Sequence, residues 1–352
     1  MTDRGLYKTM ASTSTLPRPN SAARAEGLNT LQAESQWALV WRRFRKHRLA
    51  MISAALLLVV LLSSLLAVFI APFERDHQNV NSIERFAKPF SREVDTGRIH
   101  FVGTDEIGRD NFTRLLYGGR VSLTVAVSVA VCSAIIGMTV GSMAGYYRGI
   151  IDTLLMRFLD FMASIPALTV LLILTAILIR DPNLLPYPRW MINLTTQIMG
   201  FDFIRGRDES RSVLTVILVL TLFGWTSIAR LMRGMVLSIR EREFIESARA
   251  LGENSLVIIL RHVVPNSLAP IIVAFTQSLA SAFAVETVIS FIGYGVQEPT
   301  PTWGNMMRIA ENNVFDHGWM ALYFGIPILI CSLAFNFIGD GLRDALDPRQ
   351  RL

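Results

Sequence analysis

The stretch EREFIESARALGENSLVIILRHVVPN, residues 241–266, decides which architecture this chain can adopt. It is dense in charged residues and lies between two long apolar runs. Drawn as a helix, its first half places its apolar side chains on one face: Phe244, Ile245, Ala248 and Leu251. Gly252 stands where that helix would end, because glycine adopts the left-handed C′ conformation readily, and Asn254 and Ser255 can cap a second, apolar helix. We expect a helix-turn-helix outside the hydrocarbon, rigidly joined to a membrane span and suited to docking onto another protein.

Six segments of the chain contain no Asp, Glu, Lys, Arg or His over a length that can cross about 30 Å of hydrocarbon. They are residues 49–71, 121–147, 161–179, 212–229, 263–285 and 318–339. The chain has 352 residues, 51% of them apolar, and a mean hydropathy of +0.41. Six such runs would be very unusual as buried helices of a soluble core. The sequence therefore predicts an all-α, polytopic membrane bundle of six transmembrane helices.

Charge and cysteine content exclude several other kinds of site. The net charge is +6, which we attribute to loops that lie beside anionic membrane lipid. No basic patch on a soluble module is visible, so nucleic acid is not an expected partner. Cys132 and Cys331 both lie inside apolar runs and are interpreted as small packing residues. We expect no metal site, no cofactor and no catalytic residue.

The distribution of Lys and Arg predicts the orientation in the membrane. Five basic residues lie within 42–48, before the first apolar run, whereas Arg75 is the only one in the dozen residues after it. This asymmetry predicts a cytoplasmic N-terminus, and six spans then put the C-terminus in the cytoplasm as well. We expect residues 1–36 to be a disordered cytoplasmic tail. Residues 37–119 would hold the first span and a long external loop, and residues 120–352 the core with its cytoplasmic segment at 241–266.

The segment 241–266 also resembles a known signature. Glu246-Ser247-Ala248, followed by Gly252 and Pro265, is similar to the EAA loop in permease subunits of bacterial binding-protein-dependent ABC importers. Two positions depart from that pattern: Ser247 replaces the first alanine, and His262-Val263-Val264 precedes the proline. The resemblance implies a role in coupling to a separate ATPase for eight residues: Arg242, Glu243, Glu246, Ser247, Ala248, Arg249, Gly252 and Pro265.

A second resemblance precedes the second apolar run. Residues 103–123 are similar to the signature found there in C-type permeases of the oligopeptide/dipeptide group, through Gly103, Thr104, Asp105, Gly108, Arg109, Asp110 and Arg120. The two glycines have the spacing of a phosphate loop, but the Lys-Ser/Thr pair is missing, so nucleotide binding is not expected. Alternating Asp and Arg can form a local ion-pair network that fixes the loop against the mouth of the bundle. A structural role and a contact with the solute both stay open.

Three residues of the fifth run are candidates for the translocation path: Gln277, Ser281 and Glu286. Glu286 could attract peptide amines, or it could pair with an outer arginine such as Arg109 or Arg308. Gln277 and Ser281 could contact the solute or form hydrogen bonds between helices. The glycines and prolines of residues 290–304, which also resemble the oligopeptide/dipeptide group, predict an irregular or re-entrant segment.

Together these resemblances imply the type I ABC importer permease fold in a bacterial inner membrane. Such a permease would pair with a second, B-type permease, two ATP-binding subunits and an external solute-binding protein, and would not hydrolyse ATP itself. Short peptides are the expected cargo, with nickel chelates or another peptide-like solute as the alternative. A gradient-driven transporter would need carboxylates at mid-bilayer, which the six runs lack. A membrane-embedded enzyme is disfavoured because neither an HExxH nor a GxSxG motif occurs.

Overall fold

The computed structural model describes residues 36–78, 85–181, 184–200 and 206–347. The predicted disordered tail, residues 1–36, lies outside the described residues except for its last residue, which already belongs to a helix. The described elements are α1 (Gln36–Lys46), α2 (Arg48–Leu65), α3 (Ala67–Ile70), β1 (Ser91–Arg92), β2 (Ile99–His100), α4 (Asn111–Tyr147), α5 (Gly149–Ser164), α6 (Ala167–Arg180), α7 (Arg189–Met199), α8 (Gly206–Gly224), α9 (Thr226–Ile239), α10 (Glu243–Ala250), α11 (Ser255–Ile258), a π-helical turn (Ile259–Val263), α12 (Val264–Ile292), α13 (Trp303–Asn312), α14 (Val314–His317) and α15 (Trp319–Leu346).

The predicted helical membrane bundle is confirmed. Within the described ranges, four helical stretches are long and apolar enough to cross a membrane: Arg48–Leu65, Asn111–Tyr147, Ser255–Ile292 and Trp319–Leu346. Two bent pairs, α5 with α6 and α8 with α9, raise the number to six if each pair counts as one span. The predicted count of six therefore holds only with these broken spans included.

The third and fourth apolar runs are each broken into two helices. The chain bends by 83° between α5 and α6, at Ile165 and Pro166. Proline has no backbone N–H and its ring clashes with the preceding turn, so the helix stops there. A second bend, of 42°, separates α8 from α9 at Trp225. Apolar content alone gives no information on either bend.

Helix α4 is the central element and packs on α2, α8, α9 and α12. Its closest approach is to α9, through Gly137, Gly141 and Gly145, which are four residues apart and therefore on one face. A Cβ atom on Gly141 would lie 2.7 Å from Cβ of Met232, and one on Gly145 would lie 2.7 Å from Cβ of Val236. Small residues let two membrane helices approach to backbone contact, where dispersion forces stabilise the pair. The glycines thus fix how α9 lies on α4.

The two ends of α4 lead to two different structures. Before its N-terminus lies what we call the lip, which comprises the described residues 71–78 and 85–110. It contains the antiparallel pair β1–β2, with Ser91 opposite His100. At its C-terminal end, Tyr146 contacts Arg240 and Arg148 contacts Glu241. Glu241 is the first residue of the segment 241–266, which we call the coupling segment. The lip and the coupling segment therefore lie at opposite ends of the bundle.

We predict that the glycine contact sets the stability of the bundle. Gly141→Ala should destabilise the chain by about 1–3 kcal/mol, because the added methyl group overpacks the α4–α9 contact. Gly234→Ala is the matched control: it also lies inside a helix, but a Cβ there meets nothing within 4 Å. This control should be neutral or stabilising by up to about 1 kcal/mol. The measurement is the melting temperature of the purified chain in detergent, and equal shifts for both variants would contradict the packing argument.

Candidate functional site: coupling segment, lip and central cavity

The helix boundaries in the coupling segment agree with the sequence prediction. Helix α10 ends in a Schellman motif, in which the N–H of Glu253 donates to the Ala248 carbonyl at 3.1 Å and that of Gly252 to the Arg249 carbonyl at 2.9 Å. Gly252 has φ +80°, a conformation that side chains disfavour. Asn254 then caps α11, because its side-chain oxygen accepts from the N–H of Leu256 at 3.1 Å. The turn therefore depends on local chemistry rather than on tertiary packing.

The apolar face of α10 is only half buried. Ile245 and Ala248 are buried against the end of α9 and the start of α11. Leu251, however, is 88% exposed and Phe244 is 40% exposed, so the bundle covers only part of the predicted apolar face. Leu251 is the C-cap of α10, where the chain turns away from the bundle. Exposed leucines continue this apolar surface into the next turns, at Leu256 and Leu260.

The polar residues predicted to couple lie around this apolar surface. Those that the structure leaves exposed are Arg242, Glu243, Glu246, Ser247 and Arg249. The Arg249 guanidinium lies 5.1 Å from the centre of the Tyr146 ring, which holds it by a cation–π contact. An exposed surface that mixes leucines with charges of both signs suits a protein partner. Pro265, by contrast, lies in the connection to the membrane span.

The coupling segment is continuous with helix α12. The π-helical turn Ile259–Val263 joins α11 to α12, and Pro265 is the second residue of α12. A π turn is wider than an α turn and accommodates a residue that cannot donate a backbone hydrogen bond. Asn266 donates its side-chain amide to the His262 carbonyl at 2.6 Å, and His262 contacts Glu253 at 3.0 Å. The predicted rigid join between the segment and a span is therefore present in the structure.

The C-terminus of α4 also holds the coupling segment. Arg240 donates to the Tyr146 carbonyl at 2.7 Å, and Arg148 pairs with Glu241 at 2.7 Å. Burial and repulsion from Arg148 lower the pKa of Arg240, although its carbonyl bond keeps the side chain in place. Movement of α10 therefore displaces the ends of both α4 and α12.

At the opposite end, the predicted ion-pair network centres on Asp105. Its carboxylate accepts from the Arg109 guanidinium at 2.6 Å and from the Arg109 backbone N–H at 2.9 Å. Arg109 and Arg114 both donate to Glu298, at 2.8 and 3.2 Å, and so connect the lip to the segment after α12. Burial disfavours the charge on Arg109, but attraction to Asp105 and Glu298 outweighs it and raises its pKa. Glu298 was missed by the sequence prediction, since its partners are more than 180 residues away.

The other signature residues also have structural partners. Asp110 caps α4 by accepting from the N–H of Thr113 at 2.7 Å, and its second oxygen lies 2.9 Å from Nδ1 of His100. Thr104 accepts from the N–H of Ala87 at 2.8 Å. Arg120 donates to the Ile198 carbonyl at 2.7 Å and so holds α7. Gly103 and Gly108 have φ of +71° and +83°. These contacts favour the structural role over a contact with the solute.

A second ion-pair cluster joins the lip to α8. Arg75 donates to Glu209 at 2.8 Å, and Thr300 donates its hydroxyl to the same carboxylate at 2.7 Å. Burial opposes the charge on Arg75, yet hydrogen bonds to Asp76 and Glu209 raise its pKa. One weak signal in the sequence pointed to this cluster: Arg75 is the only Lys or Arg in the dozen residues after the first span.

Glu286 lies beside hydroxyl groups rather than beside an outer arginine, one of the two alternatives left open by the sequence. The side chain is fully buried, accepts from the Ser290 hydroxyl at 2.8 Å and is hydrogen-bonded to Ser122 of α4. Arg109 instead bonds to Asp105 and Glu298, and Arg308 makes no ion pair with Glu286 within the described residues. Helix α12 continues through Glu286 to Ile292, so the predicted irregular segment begins only at Gly293. It ends at Trp303, where α13 starts with Thr302 as its cap.

Gln277 and Ser281, which are both exposed, line an open cavity of about 470 Å³ between five helices, whereas Glu286 does not. Its wall comes from α4, α6, α8, α9 and α12: Val129, Ala167, Leu171, Leu220, Phe223, Gly224, Ser227, Ile228, Leu231, Ala274, Gln277, Ser278, Ser281, Ala282 and Val285. No charged side chain is among these residues. Gln277, Ser278 and Ser281 offer neutral hydrogen-bonding groups from α12, and most of the wall is apolar.

We predict that the Asp105 network stabilises the lip. Asp105→Asn should destabilise the chain on the order of 3 kcal/mol, because two buried guanidinium groups lose a charged partner. Glu106→Gln, at the adjacent exposed carboxylate, should change stability by less than about 0.5 kcal/mol. The measurement is the melting temperature of each purified variant, compared with that of the unchanged chain. A stable Asp105→Asn chain would show that the network does not hold the lip.

These features define a class: a polytopic membrane protein with a cavity between its helices, and with an exposed segment continuous with one cavity-lining helix. Residues 137–352 match the family described as "Binding-protein-dependent transport system inner membrane component", and residues 35–89 match "N-terminal TM domain of oligopeptide transport permease C". The chain belongs to this family of binding-protein-dependent permeases and is an integral inner-membrane protein. The resemblance to the oligopeptide/dipeptide group of C-type permeases is thereby confirmed.

Three relatives align with nearly the whole chain. A putative peptide transport system permease protein of Brucella abortus biovar 1 (strain 9-941) is 37% identical over 91% of this chain and 94% of its own. A dipeptide transport system permease protein of Alkalihalophilus pseudofirmus (strain ATCC BAA-2126 / JCM 17055 / OF4) is 33% identical over 95% and 96%. A glutathione transport system permease protein of Escherichia coli O6:K15:H31 (strain 536 / UPEC) is 31% identical over 90% and 92%. A solved chain of the inward-facing MetNI methionine ABC transporter has a TM-score of 0.45 and 19% identity over 66% of this chain and 96% of that one.

Proposed function

We propose that this permease forms the translocation path of an ATP-driven importer together with a second permease. Two separate ATP-binding subunits dock on the coupling segment, and an external solute-binding protein delivers cargo at the lip. Family membership supports partner subunits in general, since the family is defined by binding-protein-dependent transport. The chain itself contributes the path and the coupling, and ATP is hydrolysed by its partners.

One observation carries the coupling mechanism: the chain runs from α10 through the hydrogen-bonded turn at Gly252 and α11 into the π turn and α12. Gln277 and Ser281, which line the cavity, lie on α12. A push on α10 by a closing ATPase therefore moves one wall of the cavity as a rigid body. This is the element that would switch the path between its two openings.

The coupling segment gives a prediction at two positions. Gly252→Val should strain the Schellman turn by about 1 kcal/mol or more, because a β-branched residue disfavours positive φ. Glu246→Arg should reverse an exposed charge on the docking surface. Both variants should insert in the membrane normally, yet retain less ATPase in co-purification and show less transport-coupled ATP hydrolysis.

Matched controls separate docking from folding. Gly252→Asn should retain most coupling, because asparagine tolerates the left-handed conformation. Glu311→Arg, an exposed charge reversal on α13 away from the coupling segment, should have no effect on ATPase attachment. Normal assembly and import by both Gly252→Val and Glu246→Arg would show that the docking assignment is wrong.

The proposed orientation, with both termini in the cytoplasm, gives a labelling prediction. In a background without Cys132 and Cys331, a cysteine at Glu106 in the lip should react with an impermeant maleimide in intact spheroplasts. A cysteine at Ser247 should react only after permeabilisation, because the coupling segment faces the cytoplasm. Both positions are exposed, so access through the protein does not limit either reaction. Labelling of position 247 in intact spheroplasts would reverse the orientation.

We propose short peptides as the cargo. The named relatives transport peptides, dipeptides or glutathione according to their names. The cavity supports this class, because its neutral polar groups on α12 can bond to peptide amides while its uncharged wall does not select for side-chain charge. Gln277 and Ser281 would bond to the passing backbone.

The cargo proposal predicts the outcome of an uptake experiment. Cells that express the complete transporter should accumulate labelled di- or tripeptides, and Gln277→Ala with Ser281→Ala should lower the rate several-fold. Asn336→Ala, which removes a side-chain amide from an exposed face of α15 outside the cavity, should leave uptake unchanged. Uptake of a nickel chelate without any uptake of peptide would refute the peptide assignment but not the permease role.

A further inference from the structure

Helix α1 (Gln36–Lys46) lies where two membrane spans leave the hydrocarbon. The first apolar run begins at Leu49, three residues after α1 ends, and the sixth run ends at Gly339 in α15. Val40 of α1 and Ile338 of α15 pack against the same buried cluster, so α1 lies beside the last turn of that sixth run. Both spans therefore place α1 at the hydrocarbon boundary, next to the headgroup layer of about 5–8 Å.

This boundary is on the side of the coupling segment, and α1 is fixed there by one face. Helix α15 begins beside the lip, since a Cβ atom on Gly103 would lie 2.7 Å from the Trp319 ring, so its last turn is at the opposite end. There the Arg43 side chain of α1 donates to the Asp347 carbonyl at 3.0 Å, and Phe44 is 6% exposed. Because these contacts hold α1 on α15, the side that α1 exposes is defined.

Beside the fixed face, α1 exposes two tryptophans and a cation on one side. Trp37, Trp41 and Arg45 are four residues apart, which places them along the same side of the helix. Trp37 and Trp41 are 58% and 56% exposed, and Arg45 is exposed as well. Tryptophan is enriched at headgroup level because its ring is apolar and its N–H is polar. A side of this composition at the hydrocarbon boundary is typical of a helix that lies in the membrane interface.

The charge around this side is positive. Arg45, Lys46 and Arg48 are exposed, and α1 contains no acidic residue. Asp344 of α15 lies 3.8 Å from His47, but none of the ion pairs among the described residues involves Arg45, Lys46 or Arg48. Exposed cations beside a membrane attract anionic lipids, and arginine can bond to two phosphate oxygens at once. The cations therefore favour an anionic headgroup as their partner.

We propose that this side of α1 binds anionic phospholipid in the leaflet at the coupling-segment end. The rings of Trp37 and Trp41 lie among the upper acyl chains, and Arg45 and Arg48 bond to phosphate groups. Lipid is the occupant because two spans put this side at the hydrocarbon boundary, where one molecule offers both acyl chains and an anionic headgroup. The site goes beyond the transport function. Since α1 is fixed on α15 and continues into α2, bound lipid holds the ends of both spans at the boundary.

The test uses the full-length chain in detergent and native mass spectrometry with added lipid. Phosphatidylglycerol should be retained in preference to phosphatidylcholine with the same acyl chains. Arg45→Gln with Arg48→Gln should weaken retention of phosphatidylglycerol on the order of tenfold. Arg85→Gln with Arg92→Gln, which removes two exposed charges of the lip, is the matched control and should retain the lipid. Arg45→Lys with Arg48→Lys keeps the charge and should retain most of the preference, which guards against a folding defect.

Three results would overturn the proposal. Equal retention of both lipids, or an equal loss in the control variant, would show that no specific site exists. Displacement of phosphatidylglycerol by inorganic phosphate, with retention unchanged in Trp37→Ala with Trp41→Ala, would indicate a site for a free anion. A photo-crosslinker at position 41 should capture lipid, and capture of an ATP-binding subunit in the assembled transporter instead would show that this side of α1 is a protein interface.

Discussion

The close contact of α4 with α9 is the interaction on which the rest of the bundle depends. Gly137, Gly141 and Gly145 bring two backbones together where any side chain would force them apart. Lipid is as apolar as the helices, so packing rather than the hydrophobic effect has to hold them in the membrane. Because α9 leads directly into the coupling segment, this contact fixes where the segment lies.

Helix α4 also connects the two functional ends. Its 37 residues span about 55 Å, longer than about 30 Å of hydrocarbon, so it projects from the membrane. At its N-terminus, Asp110 caps the helix inside the ion-pair network of the lip. At its C-terminus, Arg240 holds the last carbonyls next to α10. Helix α4 therefore connects the lip directly to the coupling segment.

Sequence reasoning succeeded where structure follows from local chemistry. The Schellman turn at Gly252 and the cap at Asn254 need only neighbouring residues, and both were predicted. The Asp105–Arg109 pair lies within four residues and was predicted as well. The partners of Arg75 and Glu298 lie far along the chain, and no local pattern identifies them. Helical periodicity placed Leu251 on the apolar face of α10 but could not tell that the bundle leaves it exposed. For Glu286 the residue type suggested an ion pair, but burial beside Ser290 decided its environment.

The break at Pro166 has a consequence for water. Helix α6 has 14 residues and spans about 21 Å, too short to cross the hydrocarbon alone. The last carbonyls of α5 lose their helical partners at the break, and Ser164 satisfies one of them through its bond to the Phe161 carbonyl. Bare carbonyls are not tolerated in lipid, but they are tolerated beside a hydrated cavity. Since Ala167 lines the open cavity between the helices, the carbonyls at the break lie where water can reach them. A permease whose middle admits water has to exclude ions by closing its ends.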